Sequence, residues 1–360
     1  MKKYIVMVSG GIGGAEKRFF DIFKGLVAYD KEIYLVLPSC LFNLISESED
    51  VQPYLCNIVI VDMPAWSPIR FAWRFYNDVL KVAKNEDVFH YPLSPLFFLH
   101  LFGGKKFTIS YCDCYNPPKL STNNKNSTLQ YIASFFSSKI DILSPNVFSL
   151  VKDRNPYLKD KISLTPGGTY IYPTENGNEE KERKLVFLSR LEPNKGVEVL
   201  FSLLPKINEQ LSSEASVRFE IYGLGSLSDF VTEQVEILRL KGINIDYLGY
   251  GDPKKVLPTA WVVFSLQEVT NYPSRVVAEA LLEGCEVIIL DTGDSRRFGD
   301  KKGVSYLDEN LENIEEIVSD IIERSTYNNI NIVNVIKNEA RCSFSSNQYI
   351  SYFYTLLGGK

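Results

Sequence analysis

The sequence predicts an α/β protein built as two parallel-sheet domains in tandem. Short β-rich apolar runs alternate with longer helix-periodic segments along both halves of the chain, the pattern of βαβ units. A polar run, 174–184, interrupts that rhythm with almost no apolar residue, as an interdomain linker or exposed loop does. At roughly 100–200 residues per domain, 360 residues that are 45% hydrophobic and 23% charged suffice for two packed cores.

The strands of the first half are expected at Tyr4 to Val8, Ile33 to Leu37, Ile58 to Val61, Asp87 to Phe89, Phe107 to Tyr111 and Ile140 to Leu143. After the polar run they resume at Leu185 to Leu188, Val217 to Tyr222, Ile243 to Leu248, Val262 to Ser265 and Val287 to Leu290, each followed by a segment of helical character. The domain boundary is placed in the polar run or slightly before it, giving 1–170 and 171–344. Two such domains predict a cleft, with ligands at the carboxyl ends of the strands.

Composition narrows the function. With 39 Lys plus Arg against 44 Asp plus Glu the net charge is −5, so nucleic acid is not an expected partner. Six cysteines are scattered, and Cys112 and Cys114 alone lie close, at a spacing that matches no common zinc pair. The run Tyr4 to Val8 is too short for a signal-peptide core or a membrane span, and Pro92 and Pro95 break the stretch from Phe89 to Phe102. A cytoplasmic protein in a reducing compartment is expected, with surface attachment as the remaining membrane role.

The candidate functional residues follow predicted strands. Ser9-Gly-Gly-Ile-Gly-Gly-Ala-Glu16 precedes an amphipathic helix, where glycines let backbone amides approach an anion. Glu16 stands where a dinucleotide fingerprint needs a small residue, and Leu37-Pro38 where it needs an acid, so NAD fits poorly; a tight turn with no ligand is the alternative. Arg190 and Lys195 fall on a strand-to-helix loop, where they either neutralise a diphosphate or lie in solvent. In Val262 to Gly284, Pro273 suits the first turn of a helix and Gly284 its stop. Glu279 then lies one to two turns from a helix N-terminus able to take a phosphate, near enough to hold ribose hydroxyls.

A glycine-rich first turn, Ser189-Arg-Leu191 with Lys195 five residues after Arg190, Tyr222-Gly-Leu-Gly225, and Pro273-Ser274 ahead of Glu279-Ala280 on a helix ending in glycine resemble glycosyltransferase family 4. These are retaining enzymes of the GT-B fold, many in bacterial polysaccharide and glycan assembly. The resemblance spans most of the chain, densest from Leu185 to Gly293. It implies two Rossmann-like domains facing a cleft, with a C-terminal helix, 345–360, crossing back onto the first. Arg190 and Lys195 match the basic pair that stabilises the leaving diphosphate in place of a metal, and Glu279 matches the ribose-binding second glutamate of the family's pair. Ser274 and Arg275 fall where backbone amides meet the diphosphate, with Gly223 and Tyr272 also on the donor side. Gly13 and Gly14 fall where the first domain approaches the donor, and Tyr250 where the nucleobase is met.

Two departures from the family pattern stand out. The first glutamate of the pair, which contacts the donor sugar, is replaced by Asn271, and Glu268 is in poor register to substitute. The first-domain histidine of many members is replaced by Cys112, beside Asp113, in the strand Phe107 to Cys114. Asp113 is the preferred polar group near the reacting sugar. His90 ends a strand in Asp87-Val-Phe-His-Tyr-Pro92 and is a candidate site residue or a satisfied structural histidine.

The function expected is retaining transfer of a hexose-type sugar from a nucleotide-diphosphate sugar, UDP before GDP, to a glycan or lipid-linked oligosaccharide, with the donor on the second domain. The role implied is surface polysaccharide biosynthesis, as for lipopolysaccharide or capsule. No Asp-x-Asp triplet or metal-ligand cluster occurs in the sequence, so no cofactor and no divalent metal are expected. A nucleotide-sugar 2-epimerase and a non-catalytic GT-B partner subunit are the alternatives. The segment Trp66 to Tyr76, with Arg70 and Arg74 among aromatics, reads as an interfacial helix for the inner face of the plasma membrane or as a helix packed on the first sheet.

Overall fold

A computed structural model describes residues 1–92, 96–113, 119, 125–166, 180–211, 217–324, 329–344 and 346–359. The chain forms two compact units, Met1–Tyr170 with Ser345–Lys360, and Ile171–Phe344. The expected polar run lies outside the described residues from 174 to 179, as does Cys114.

The first unit runs β1 (Lys3–Val6), α1 (Gly14–Tyr29), β2 (Ile33–Pro38), α2 (Ser39–Ser48), β3 (Ile58–Val61), α3 (Pro68–Phe75), β4 (Val88–Tyr91), α4 (Phe97–Gly103), β5 (Lys106–Tyr111), α5 (Lys125–Phe136), β6 (Lys139–Ile142), α6 (Pro145–Arg154) and β7 (Ile162–Leu164). Its seven strands are ordered β3-β2-β1-β4-β5-β6-β7, and each adjacent pair is parallel. Side chains alternate across a strand. Tyr4 and Val6 therefore join a core with Phe71, Phe75, Phe97, Ala133 and Val147 from α3 to α6. Ile5 and Met7 join the opposite core with Phe19 and Phe23 of α1 and with Tyr349 and Phe353 near the C-terminus.

The second unit runs β8 (Lys184–Leu188), α7 (Val197–Gln210), β9 (Arg218–Tyr222), α8 (Ser228–Leu240), β10 (Ile245–Tyr247), α9 (Pro253–Val256), β11 (Val262–Ser265), α10 (Arg275–Leu282), β12 (Glu286–Leu290), β13 (Val304–Leu307), α11 (Ile314–Arg324) and α12 (Ile330–Ser343). The six-stranded sheet is parallel in the order β10-β9-β8-β11-β12-β13. A last helix, α13 (Ser346–Leu356), returns to the first unit and packs on α1.

The α/β class and the eleven expected strands are all present, with ends shifted by at most two residues. β7 and β13 are additions. Both are outermost in their sheets, and most of their side chains are only partly buried, so neither carries the continuous apolar run of an inner strand. α3 buries Phe71, Ala72 and Phe75 while leaving Ile69 and Trp73 exposed.

Candidate functional site

In the second unit, the turns after β8 and β11 and the start of α10 enclose a pocket of about 290 Å³. Its polar walls are Ser189, Arg190, Lys195, Ser265, Gln267, Ser274 and Arg275. Two glycines permit the close approaches that shape it. Gly196 adopts φ 80°, and a Cβ there would lie 2.0 Å from the Leu266 carbonyl oxygen, so only glycine lets the Lys195 loop press against the end of β11. Gly223, at φ 145°, passes so close to Ser189 that a Cβ would fall 1.8 Å from its carbonyl oxygen. Lys195 Nζ donates to Gln267 Oε1 at 2.6 Å, joining the two turns across the pocket wall.

α10 begins at the pocket. Ser274 is its N-cap, with Oγ accepting from the Val277 amide at 3.5 Å. One turn on, Arg275 Nε donates to Glu279 Oε1 at 2.7 Å, an i,i+4 pair with Arg275 one-third and Glu279 one-sixth exposed. Glu279 is absent from the pocket wall and reaches it through Arg275. Cations on three sides and the positive end of a helix make this pocket suited to a di-anion such as a diphosphate.

Asn271 is corrected from a sugar contact to a structural clamp, because its amide is consumed by the protein itself. Nδ2 donates to the carbonyls of Leu290 (2.7 Å) and Gln267 (3.1 Å), Oδ1 accepts from Ser265 Oγ (2.8 Å) and the Gln267 amide (2.9 Å), and the residue is 1% exposed. Tyr272 is corrected likewise. It is 9% exposed and packs edge-on to Phe298, with ring centroids 5.1 Å apart, inside the core under α10. Tyr250 is 69% exposed, follows Gly249 at φ 68°, and does not line the pocket.

Gly13, Gly14, His90 and Asp113 all belong to the first unit. Gly13 caps α1, and its amide donates to Glu16 Oε2 at 2.9 Å. Glu16 therefore closes a capping box where a dinucleotide fingerprint has a small residue. A Cβ at Gly14 would meet nothing within 4 Å, so the backbone there is open to an approaching group. Asp113 is exposed just past β5.

His90 is the third correction, a packed core histidine. It is 0% exposed; Nδ1 lies 2.8 Å from Thr108 Oγ1 and Nε2 3.2 Å from Ser110 Oγ, while Ser110 donates to Asp141 Oδ2 at 2.7 Å. That chain of donors leaves Nε2 as the protonated nitrogen of a neutral ring. Burial, with the nearby Arg18 charge second, depresses its pKa to about 3. Ser189 is picked out in the sequence only as part of the Ser189-Arg-Leu191 motif and Gln267 not at all, although Ser189 follows β8 directly and Gln267 stands two residues past β11.

Among the described residues, no group of three or more His, Cys, Asp or Glu is placed to hold a metal ion, and no helix is long and apolar enough to cross a membrane.

Two Rossmann-like parallel-sheet units, the second with a cationic pocket at its strand ends, define a GT-B protein. Residues 171–333, within the unit that holds the pocket, match the family Glycosyl transferases group 1. No curated protein matches the chain. Among solved structures, Anabaena Alr3699/HepE in complex with UDP and glucose superposes with a TM-score of 0.73 at 15% identity, covering 99% of this chain and 100% of that one. A mutant of S. aureus TarM in complex with Fondaparinux, alpha-GlcNAc-glycerol and UDP gives 0.70 at 13% identity over 100% of both chains. A glycosyltransferase from Rickettsia africae ESF-5 gives 0.71 at 14%, covering 99% and 97%. At these identities the likeness is one of fold.

Proposed function

We propose that this chain is a retaining glycosyltransferase, of family 4 type, that moves a hexose-type sugar from a nucleoside diphosphate sugar, UDP before GDP, to a glycan or lipid-linked oligosaccharide in surface polysaccharide assembly. The observation that carries the reading is the convergence of Arg190, Lys195 and Arg275 on one pocket within the segment that matches the family. The UDP held by the solved proteins of like fold supports the choice of base.

In this reading the diphosphate lies against Arg190, Lys195 and the start of α10, with Arg275 held in place by Glu279. As the bond from the sugar's anomeric carbon to the β-phosphate oxygen breaks, its electron pair passes to that oxygen, and fixed cations stabilise the charge as it grows. The acceptor hydroxyl attacks on the same face and gives its proton to the departing phosphate, which retains configuration without a separate general base. The cations supply the neutralisation that a divalent ion gives elsewhere, so transfer proceeds in chelator. Peripheral attachment at the cytoplasmic membrane face, where a lipid-linked acceptor resides, completes the proposal.

A thermal-shift panel of UDP, GDP, ADP and NAD in chelator, on wild type and on the Arg190→Ala, Lys195→Ala double variant, tests it. UDP alone is expected to stabilise the wild type, by about 2.7 kcal/mol at a hundredfold excess over Kd, and the double variant is expected to lose the shift. No response to any diphosphate overturns the donor assignment, and loss of transfer in chelator overturns metal independence.

A further inference from the structure

The first unit carries an exposed aromatic surface unrelated to the candidate site. Phe98 (41% exposed) and Leu101 (54%) lie one turn apart on α4, and Phe135 (44%) and Phe136 (51%) end α5. Phe97 joins the two helices, its ring 6.2 Å from Phe98 and stacked at 5.9 Å on Phe136. Phe135 stacks in turn on Tyr157 (52% exposed) at 5.1 Å. The two ring groups, Phe98 with Phe97 and Phe136, and Phe135 with Tyr157, meet at the adjacent residues Phe135 and Phe136, where α5 ends.

Lysines rim the patch, because α4 and α5 both end where the neighbouring strands begin. Lys105 precedes β5 and Lys106 opens it, and Lys159 and Lys161 precede β7. Lys161 Nζ donates to the Phe135 carbonyl at 2.9 Å, and the Lys105 carbonyl lies 3.1 Å from His100 Nδ1 of α4. Asp160 stands against these four charges. A cationic rim disfavours any contact between copies that brings the lysines face to face. It complements an anionic bilayer, whose headgroups take the lysines while the rings enter the acyl boundary.

We propose that this lysine-rimmed aromatic end of α4 and α5 is the surface by which the protein docks on anionic membranes. The inference takes up the membrane attachment proposed above and names its surface, while resting on none of the transfer chemistry. α3, the other candidate, is poorer: it exposes Ile69 and Trp73, and its Arg74 is held by the carbonyl and carboxylate of Asp62 at 2.7 and 3.1 Å.

Co-pelleting with phosphatidylglycerol–phosphatidylcholine vesicles, against pure phosphatidylcholine, decides the matter. Wild type is expected to pellet with the anionic vesicles and to be released by salt. Lys106→Glu with Lys159→Glu lowers partitioning by at least about twenty-five-fold, at roughly fivefold per lysine lost. Phe136→Ser lowers it as well, and Trp73→Ser leaves it unchanged. A UDP thermal shift on each preparation reports folding and the donor site separately. Wild type that answers to UDP and stays in the supernatant with anionic vesicles overturns the docking surface and leaves the transferase reading standing. Retention of binding in the lysine variant, or its loss in Trp73→Ser, also overturns the assignment.

Discussion

The side chain of Asn271 donates to two carbonyls and accepts from a hydroxyl and an amide, a combination that only a carboxamide supplies. Asn271→Asp sets an acceptor against the carbonyls of Gln267 and Leu290, and Asn271→Ala takes the acceptor from Ser265 Oγ and the Gln267 amide while the two carbonyls keep their bonds from Thr292. Either change is expected to lower stability by about 2–4 kcal/mol, read as a fall in denaturant midpoint at unchanged slope. Asn271→Glu, which restores the residue of the family pattern, is expected to behave no better, and a stabilised, more active Asn271→Glu protein sinks the clamp assignment. Arg190 and Lys195 follow a different logic, since their removal exposes nothing buried. Arg190→Ala is expected to leave melting unchanged without ligand and to lower kcat about a hundredfold. The pocket cations were legible because a strand end followed by a spaced Arg and Lys is a local pattern. The duties of Asn271, Tyr272 and His90 were not, because each is set by partners distant in the chain, such as Leu290, Phe298 and Ser110.

Elements show the same division between local and distant information. Inner strands announce themselves as apolar runs bounded by turns, whereas β7 and β13, outermost and half-covered, do not. The sequence of α13 shows helical spacing at Tyr349, Phe353 and Leu356, but its place depends on a polar network. Tyr352 Oη donates to Asp141 Oδ1 at 2.7 Å and lies 2.8 Å from Ser163 Oγ. Asp141 also accepts from Ser110 and Thr165. Removing residues 345–360 takes Tyr349, Phe353, Leu356 and Leu357, all at most 4% exposed, out of the core they share with Phe19 and Phe23 of α1. At about 2 kcal/mol each, that loss, roughly 8 kcal/mol in all, is comparable with the whole stability of a domain. The truncated chain is therefore expected to unfold in its first unit at physiological temperature, visible as lost protection in β1 and α1. Tyr352→Phe removes one donor from a buried carboxylate and is expected to cost about 1–3 kcal/mol. A truncation with unchanged melting shows that α13 is an appendage and contradicts the packing described.

At the scale of the whole molecule, the two units are expected to answer to different small ligands, protons and a nucleoside diphosphate. The chain has two histidines, His90 and His100, and both belong to Met1–Tyr170. Burial lowers both pKa values, for His90 to about 3 and for His100 to about 4, with Arg18 and Lys105 adding smaller repulsions. The unfolded chain takes up these protons near the ordinary histidine value of about 6.5, and the folded chain does not. Stability from the two rings is therefore complete above that value and lost as pH falls towards the depressed folded values. Between pH 7 and pH 5 the loss amounts to about 4 kcal/mol for both rings together. UDP, in the proposed reading a ligand of the strand ends of β8 and β11, is expected to stabilise Ile171–Phe344 instead. Hydrogen exchange resolved by segment separates the two effects. Acidification to pH 5 is expected to raise exchange in β1, β4 and β5 with little change in β8 and β11, and UDP to protect β8, β11 and α10 at either pH. His90→Gln should halve the pH slope of the first unit, whereas an unchanged slope shows that the ring is protonated in the folded protein and breaks the neutral chain from Thr108 to Asp141.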